Sequence, residues 1–429
     1  MTEQEIFEKW QQVKSERFVF LKEAAEGTAY YRNENRILGR QIPVYEQQRR
    51  ADALQPLRNA DHRIPHNFHR LLVNQKAGYF ASWAPLMDLG EKEKNRLLRR
   101  KLQGLDGVFY RLSVDASNCG EGWVHHWKAK DGSFCFDRID PREVYPIWNG
   151  SLKRELSGLF RVYGQGDRCC LEFWDERWVQ FFFLESDGLI PRQVNGKTAI
   201  QHHLGKIPFI RFANNAEGRG DLPQYQALID LYDQVESAFA NDLEDVQQVI
   251  LILRNYGGMN LSEFMQDLKK YKAVRVEGGA DEGGLDTLQI EIPVAARTAM
   301  LELLRKEIFA AGQGLNPFAE QVGNPSGVAM KFRYSQLEMK AMEQERGFEP
   351  GLLSLIKAAM VPEKQEEIDL TFIRNTIRSE EEQAEIAVAS NGLISRYTLL
   401  ANHPWVTDPA KEMERMKEET QKEKENICS

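Results

Sequence analysis

Apolar positions recur every three or four residues toward both ends of this chain and every second residue through its middle, and that change of period marks out its parts. Over residues 4–26, Ile6, Trp10, Val13 and Phe20 keep helical spacing, before Gly27 and a tyrosine-rich turn. Residues 66–82 (HNFHRLLVNQKAGYFAS) form a second periodic segment, and residues 91–103 (EKEKNRLLRRKLQ) a charged helix. Between residues 106 and 212 the pattern alternates. VFYRLSV, GWVHHWKAK, SFCFDRI, LFRVYG, RCCLEFW and RWVQFFFLE predict short strands. Lys130-Asp131-Gly132 predicts a hairpin turn between the second and third, and Ser186-Asp187-Gly188 closes the last. An α+β region with an antiparallel sheet is expected.

Residues 221–253 predict a long helix, with Leu222, Tyr225, Leu228, Tyr232, Val235, Phe239, Val246, Ile250 and Leu253 on its apolar spacing. Tyr256-Gly257-Gly258 ends it. A short helix at 259–271 and two strands at 273–277 and 287–292 follow, joined by a glycine-rich link. After Pro293 a second helix carries Val294, Thr298, Leu301, Ile308 and Ala311 on one stripe until Gly312 and Gly314 stop it. Residues 315–327 hold two Asn-Pro steps and predict a loop, with Ser326 placed to cap the next helix. That helix carries Met330, Tyr334, Leu337, Ala341, Phe348, Leu352, Leu355 and Ala359, and Gly347 with Pro350-Gly351 is expected to kink it. Residues 368–372 predict a strand. Ser379 with Glu382 is a capping box, Ser395 opens a short helix limited by Pro404, and Asp408-Pro409 starts a charged, solvated one.

Composition narrows the chemistry. The chain has 429 residues, 42% of them hydrophobic, enough for more than one core. A net charge of −8 argues against a surface built mainly to grip nucleic acid. Five cysteines without a C-x-x-C pair suggest a reducing compartment. The stretch MTEQEIFEKW lacks a signal-peptide pattern, and the longest aliphatic run, residues 249–253, is too short to span a bilayer. His125-His126 and His202-His203 are neighbours on extended chain, so neither pair can chelate as a unit. Asp137, Asp140 and Glu143 sit beside Pro141, where turn and cap roles are commoner than metal binding. There is no G-x-x-x-x-G-K-[ST] and no G-x-S-x-G, and Gly312-x-Gly314 ends a helix. No catalytic residue, cofactor or metal is expected.

Two charge features bear on nucleic acid. Residues 221–253 hold seven acids (Asp221, Asp230, Asp233, Glu236, Asp242, Glu244, Asp245) and no Lys or Arg. Each reads singly as solvated charge; a whole such helix facing a DNA passage would repel phosphates and prevent sticking. Lys331 and Arg333, just after the Asn-Pro loop, read either as helix-surface charge or as a positive ring at a constriction.

An ordered set of segments carries a resemblance. Tyr30-Tyr31-Arg32-Asn33-Glu34-Asn35 with Ile37 and Ile42 comes first, then His66-Asn67-Phe68 with Val73-Asn74-Gln75-Lys76-Ala77-Gly78-Tyr79. Ile207-Pro208-Phe209, Asn214-Asn215, Asp221 and LIDLYDQVESAFANDLED follow, then Ser326-Gly327-Val328-Ala329-Met330-Lys331-Phe332, then Ile394-Ser395 through Pro404-Trp405-Val406 and Asp408. In this order they resemble the SPP1-like phage portal proteins of long-tailed phages and prophages of Gram-positive bacteria.

The resemblance implies an α+β portal fold. It has an α/β wing at 1–215, a first stem region at 216–253, a β-containing clip at 254–293 and a second stem helix at 294–312. A tunnel loop at 313–327, a long kinked helix at 328–361 and a short helical crown at 362–429 complete it. It further implies a homo-oligomeric ring of about twelve copies at one capsid vertex, assembled in the host cytoplasm, with no membrane contact. Double-stranded DNA would pass through without sequence-specific grip during packaging and ejection. The partners would be the terminase large subunit, the head–tail adaptor, the scaffold and the major capsid protein. Implied channel residues are Asn316, Pro317, Phe318, Glu320, Gln321, Asn324, Lys331 and Arg333, with Asp242, Glu244 and Asp245 as acidic lumen candidates. Arg275, Glu277, Asp281 and Glu282 would belong to the docking clip. The alternatives are another head–tail or scaffold-associated structural protein and, from a different class, a phage nucleic-acid enzyme.

Overall fold

The stretch VFYRLSV, expected as a strand from its aromatic and β-branched residues, is instead the middle of a helix, Leu105–Cys119. Leu105, Val108, Phe109, Leu112 and Ala116 bury one stripe at three- and four-residue spacing, and that buried face outweighs local β preference. Glycines in the left-handed region, Gly104 and Gly120, bound the helix. A Cβ at Gly120 would lie 2.2 Å from the Gly218 carbonyl oxygen, so the chain's close approach there excludes any side chain.

The computed structural model describes residues 2–40, 60–152, 154–245, 250–254, 284–288, 292–317, 327–360, 368–375, 388–390, 392–401, 406, 411–416 and 419. The chain divides into two compact units, one of Met1–Phe18, Asn74–Arg219 and Gln313–Ser429, the other of Val19–Val73 and Gly220–Gly312. Helices are numbered α1 (Glu3–Glu16), α2 (Phe18–Tyr31), α3 (Phe68–Phe80), α4 (Lys92–Lys101), α5 (Leu105–Cys119), α6 (Gln226–Asp245), α7 (Val294–Ala311), α8 (Gly327–Met360) and α9 (Arg396–Ala401). The expected helix over residues 4–26 is thus two helices, parted at Arg17, which caps α1.

In the first unit, β1 (Leu86–Asp88) precedes α4, and β2 (Glu121–Lys128) and β3 (Phe134–Ile139) form the expected hairpin. Asp131 accepts from the Ser133 amide at 3.0 Å in its turn. A six-stranded antiparallel sheet follows: β4 (Val144–Trp148), β5 (Leu156–Gln165), β6 (Arg168–Trp174), β7 (Trp178–Leu184) and β8 (Leu189–Pro191), with β9 (Ala199–Gln201) also on β7. β10 (Phe209–Ala213) returns to pair with β2, giving the order β10-β2-β3. The capping box of α1 is formed by Thr2 and Glu5, and Trp10 of that helix meets Tyr145 and Phe160 edge-on at 4.7 and 5.6 Å.

α8 crosses β10, and Phe80, Phe109, Phe212 and Phe348 meet with ring centroids 5.3 to 5.6 Å apart. The helix continues through Pro350. Gly347 and Gly351 let it lie against the strand, because Cβ atoms there would come within 2.1 Å of the Ala213 oxygen and 2.8 Å of the Arg211 oxygen. β13 (Asp369–Thr371), at the expected 368–372, pairs antiparallel with β1. The Ser379 capping box and the Ser326 cap lie outside the described residues.

The second unit is built on α6 and α7 around Tyr30, Phe68, Leu72, Tyr225, Ile229, Tyr232, Leu301, Leu304, Ile308 and Phe309. Of the helix expected over 221–253, Gln226–Asp245 is helical after a short turn at Leu222–Gln224, and residues 250–254 instead form a strand, β11 (Ile250–Arg254), paired antiparallel with β12 (Gly284–Leu288). The uninterrupted aliphatic run ILIL lacks the polar positions that a half-exposed helix needs and suits a paired strand. The second expected strand therefore begins at 284 rather than 287; the expected helix at 259–271 and strand at 273–277 lie outside the described residues.

Candidate functional site

The acidic helix α6 is largely engaged within its own unit. Asp230 accepts from the Tyr30 hydroxyl and pairs with Arg36, which also holds Glu26. Burial pushes the Asp230 carboxyl up, while Tyr30 and Arg36 pull it back. Asp242 pairs with Arg297 of α7, joining the two helices. Glu244, more than half exposed, contacts the His62 ring. Asp245 is the last described residue of the helix, and its side chain lies outside the described residues. Of the three acidic lumen candidates, Asp242 thus has its charge offset by an arginine, and Glu244 has a histidine ring as its neighbour.

Between them, α6 holds an extended segment along its flank. The amides of His62, Ile64 and His66 donate to Asn241 Oδ1, Ser237 Oγ and Asp233 Oδ1 at 2.6, 3.0 and 2.9 Å. Every second residue of the segment meets every fourth residue of the helix, running in the opposite direction. Two extended residues cover about 6.6 Å and four helical residues about 6.0 Å, which is why the rungs match. Asp233, fully buried, also accepts from Asn35 Nδ2 at 2.6 Å and from the His66 ring at 2.9 Å. Sequence reading gave Asp233 as one acid among seven; the sign of its role was its four-residue spacing from Ser237 and Asn241.

The expected tunnel loop starts from a fixed post. Gln75 of α3 clamps the backbone of Leu315, accepting from its amide at 2.9 Å and donating to its carbonyl at 2.7 Å. Asn316 and Pro317 follow directly; Phe318, Glu320, Gln321 and Asn324 lie outside the described residues. The backbones of Lys331 and Arg333 lie in the first turns of α8, their side chains being outside the description, and Phe332 between them is 81% exposed. The clip candidates Arg275, Glu277, Asp281 and Glu282 also lie outside the described residues.

Two buried polar hubs brace the first unit. Lys76 Nζ donates to Asn214 Oδ1 at 2.8 Å, as does Gln344 Nε2 at 3.0 Å, and Ser113 Oγ donates to Gln344 Oε1 at 2.7 Å. Lys76 and Asn214 were legible as signature residues; Gln344, on a long charged helix, gave no signal. In the second hub, Glu121 is buried between Arg17 and Arg211 and accepts from Trp123 Nε1 at 2.9 Å. Burial raises its carboxyl, but the two guanidiniums outweigh that and hold it below the usual range.

The residues weighed as a metal or nuclease cluster are caps and ion pairs. Asp140 caps the turn Pro141–Glu143 and chelates Arg142, Glu143 pairs with Arg161, and Asp137 with Arg111. Among the described residues there is no group of three or more His, Cys, Asp or Glu that could hold a metal ion. Nor is any described helix long and apolar enough to cross a membrane.

Comparison with known proteins gives this arrangement its context. The profile of the phage portal protein family described as SPP1 Gp6-like matches residues 11–426. The portal protein of Clostridium phage phiCD119 is 37% identical over 415 residues, covering 90% of each chain. That of Bacillus phage SPP1 is 27% identical over 430 residues, covering 92% of this chain and 83% of its own. Among solved structures, a chain from the neck of a native GTA particle, computed with twelvefold symmetry, aligns with a TM-score of 0.47 and 12% identity over 79% of this chain and 89% of its own. The chain belongs to the SPP1 Gp6-like family of phage portal proteins.

Proposed function

We propose that the protein is one subunit of a closed ring of about twelve copies, a head–tail connector at one capsid vertex through which double-stranded DNA passes during packaging and ejection. The match of the portal family along residues 11–426 carries this reading. In the same reading residues 1–215 are the wing, α6 and α7 the stem, 254–293 the clip, 313–327 the tunnel loop, α8 the long helix behind it and 362–429 the crown. The clip, with Arg275, Glu277, Asp281 and Glu282, docks the terminase large subunit and later the head–tail adaptor; scaffold and major capsid protein surround the ring. The subunit has no catalytic role and assembles in the host cytoplasm.

Two features support ring formation. Among the described residues β11 and β12 make a two-stranded sheet, too small to be stable alone, and a neighbouring copy's strands would cover its edges. α7 leaves Ala295, Ala296, Ala299, Met300 and Leu303 exposed, an apolar face suited to a second copy. The Leu315 clamp suits a loop that must stay rooted beside moving DNA. Negative-stain electron microscopy of the purified protein, backed by native mass across concentration and salt, tests the reading. Rings with a central hole are expected; monomers at every concentration and salt would overturn it.

A further inference from the structure

The unabsorbed feature of the first unit is the surface of α4. Lys92, Arg96, Arg99 and Arg100 are exposed and have no anionic partner among the described residues. At about 100° per residue they fall within a sector about 100° wide, with Glu93, the helix's single acid, at its edge. Leu98 on the opposite side is buried, with Leu102 just beyond the helix. The other two basic residues of α4 are engaged. Lys94 pairs with Glu91 at 2.8 Å, and Lys101 Nζ donates to the Ala359 carbonyl at 2.6 Å, near the end of α8. Cations in a last helical turn complement the helix dipole, which accounts for Arg99 and Arg100 but not for Lys92 in the first turn or Arg96 in the middle.

Four exposed cations on one helical face, with no anionic partner among the described residues, form a local attraction in a chain of net charge −8. Three of the four are arginines, whose planar fork binds phosphate oxygens in pairs. The sector carries no apolar anchor of the kind that centres a protein–protein contact. We propose that this face of α4 is a sequence-independent contact surface for the phosphates of double-stranded DNA. The proposal rests on the portal reading, which brings DNA to the protein. It differs from the channel in that the surface holds phosphates rather than letting them slide.

The test is fluorescence anisotropy of a labelled 30-base-pair duplex with the purified full-length protein, titrated across sodium chloride concentrations. The wild type is compared with the triple variant Arg96→Gln, Arg99→Gln, Arg100→Gln and with its counterpart carrying Lys at the same three positions. Wild type is expected to bind with affinity that falls steeply with salt. The glutamine variant should bind at least tenfold more weakly at low salt, its log–log slope flattened by up to about 2.7 for three lost phosphate contacts. The lysine variant should keep most of the binding. Equal binding and slope in wild type and glutamine variant would overturn the proposal, as would no binding by the wild type at low salt. A poly-glutamate peptide that binds as tightly as the duplex and loses affinity in the same variant would assign the surface to an acidic protein partner instead. Electron microscopy of the same samples separates the two readings. Rings with altered DNA binding leave both standing, and rings with unaltered binding remove only this inference. Absence of rings removes the ring reading, and this inference then stands or falls on the anisotropy comparison alone.

Discussion

A carboxylate taken out of water must be matched by charge, and Glu121 shows the matching at a single residue. Arg17 from α1 and Arg211 from β10 both close on it, so the acid ties two distant parts of the chain to β2. Replacing Glu121 with Gln would leave Arg17 buried without its counter-charge and should cost about 3 kcal/mol or more, read from the urea midpoint. Histidines set the acid limit. Burial lowers His125 to about 4 and His126 to about 4, the Pro208 carbonyl partly offsetting it at His125. Their folded values lie below the unfolded value of about 6.5, so their contribution is full above pH 6.5 and is lost as pH falls toward 4, at up to about 1.4 kcal/mol per pH unit each. Asp115 works the other way: burial raises it to about 6, against the pull of Arg138, so it regains some stability as pH falls below 6. These two histidines outweigh Asp115 and leave a net loss; Asp230, also raised, recovers part of it, and Glu121, held low, adds to it at lower pH. His125→Phe should flatten the acid limb of a stability-against-pH curve, and an unchanged limb would refute the assignment. The sequence showed that neighbouring histidines face opposite ways, as His125 on Phe209 and His126 on Phe134 do. It could not show their burial, which depends on β10, where Phe209 pairs with His125 from 84 residues later in the chain.

At the scale of elements, legibility followed periodicity. α3, α4, α7, α8 and the β2–β3 hairpin lie where their patterns and turn residues predict. α5 and β11 do not, because both are short apolar runs whose type is decided by what they pack or pair with. The glycines of α8 were legible as kink positions in a helix; their closeness to β10 was not. That difference is measurable. Gly347→Ala puts a methyl group against the Ala213 carbonyl and should destabilise by about 2 kcal/mol or more. Gly78→Ala, inside α3 with nothing within 4 Å of the new Cβ, should stabilise by about 0.5–1 kcal/mol. Paired urea titrations decide it, and equal effects at the two sites would refute the close-approach role.

For the whole molecule, the family resemblance read from ordered signature segments was sound, and the family match along 11–426 bears it out. The α+β class was legible as well. Which acids are free was not, since Arg297 and His62 reach α6 from parts of the chain far away in sequence. If residues 313–327 narrow a channel, deleting 316–325 should leave folding and ring formation intact, because the Gln75 clamp on Leu315 survives, while DNA packaging or retention fails. Normal packaging by such particles would refute the tunnel-loop role. Replacing residues 278–284 with a short rigid linker should reduce stimulation of the terminase ATPase more than it reduces thermal stability; unchanged stimulation would refute docking at the clip.

The segment along α6 also limits how this sequence can drift. Its side chains and amides alternate, so one inserted residue between His62 and His66 would turn the amides on one side of it away from the helix and strand the buried Asp233 or its neighbours. Two inserted residues would preserve the phase and shift the segment by a single rung. The mismatch of about 0.6 Å per rung also accumulates, so a ladder much longer than three rungs would slip out of step. Length variation in this part of the family should therefore come in even steps, like teeth on a short rack.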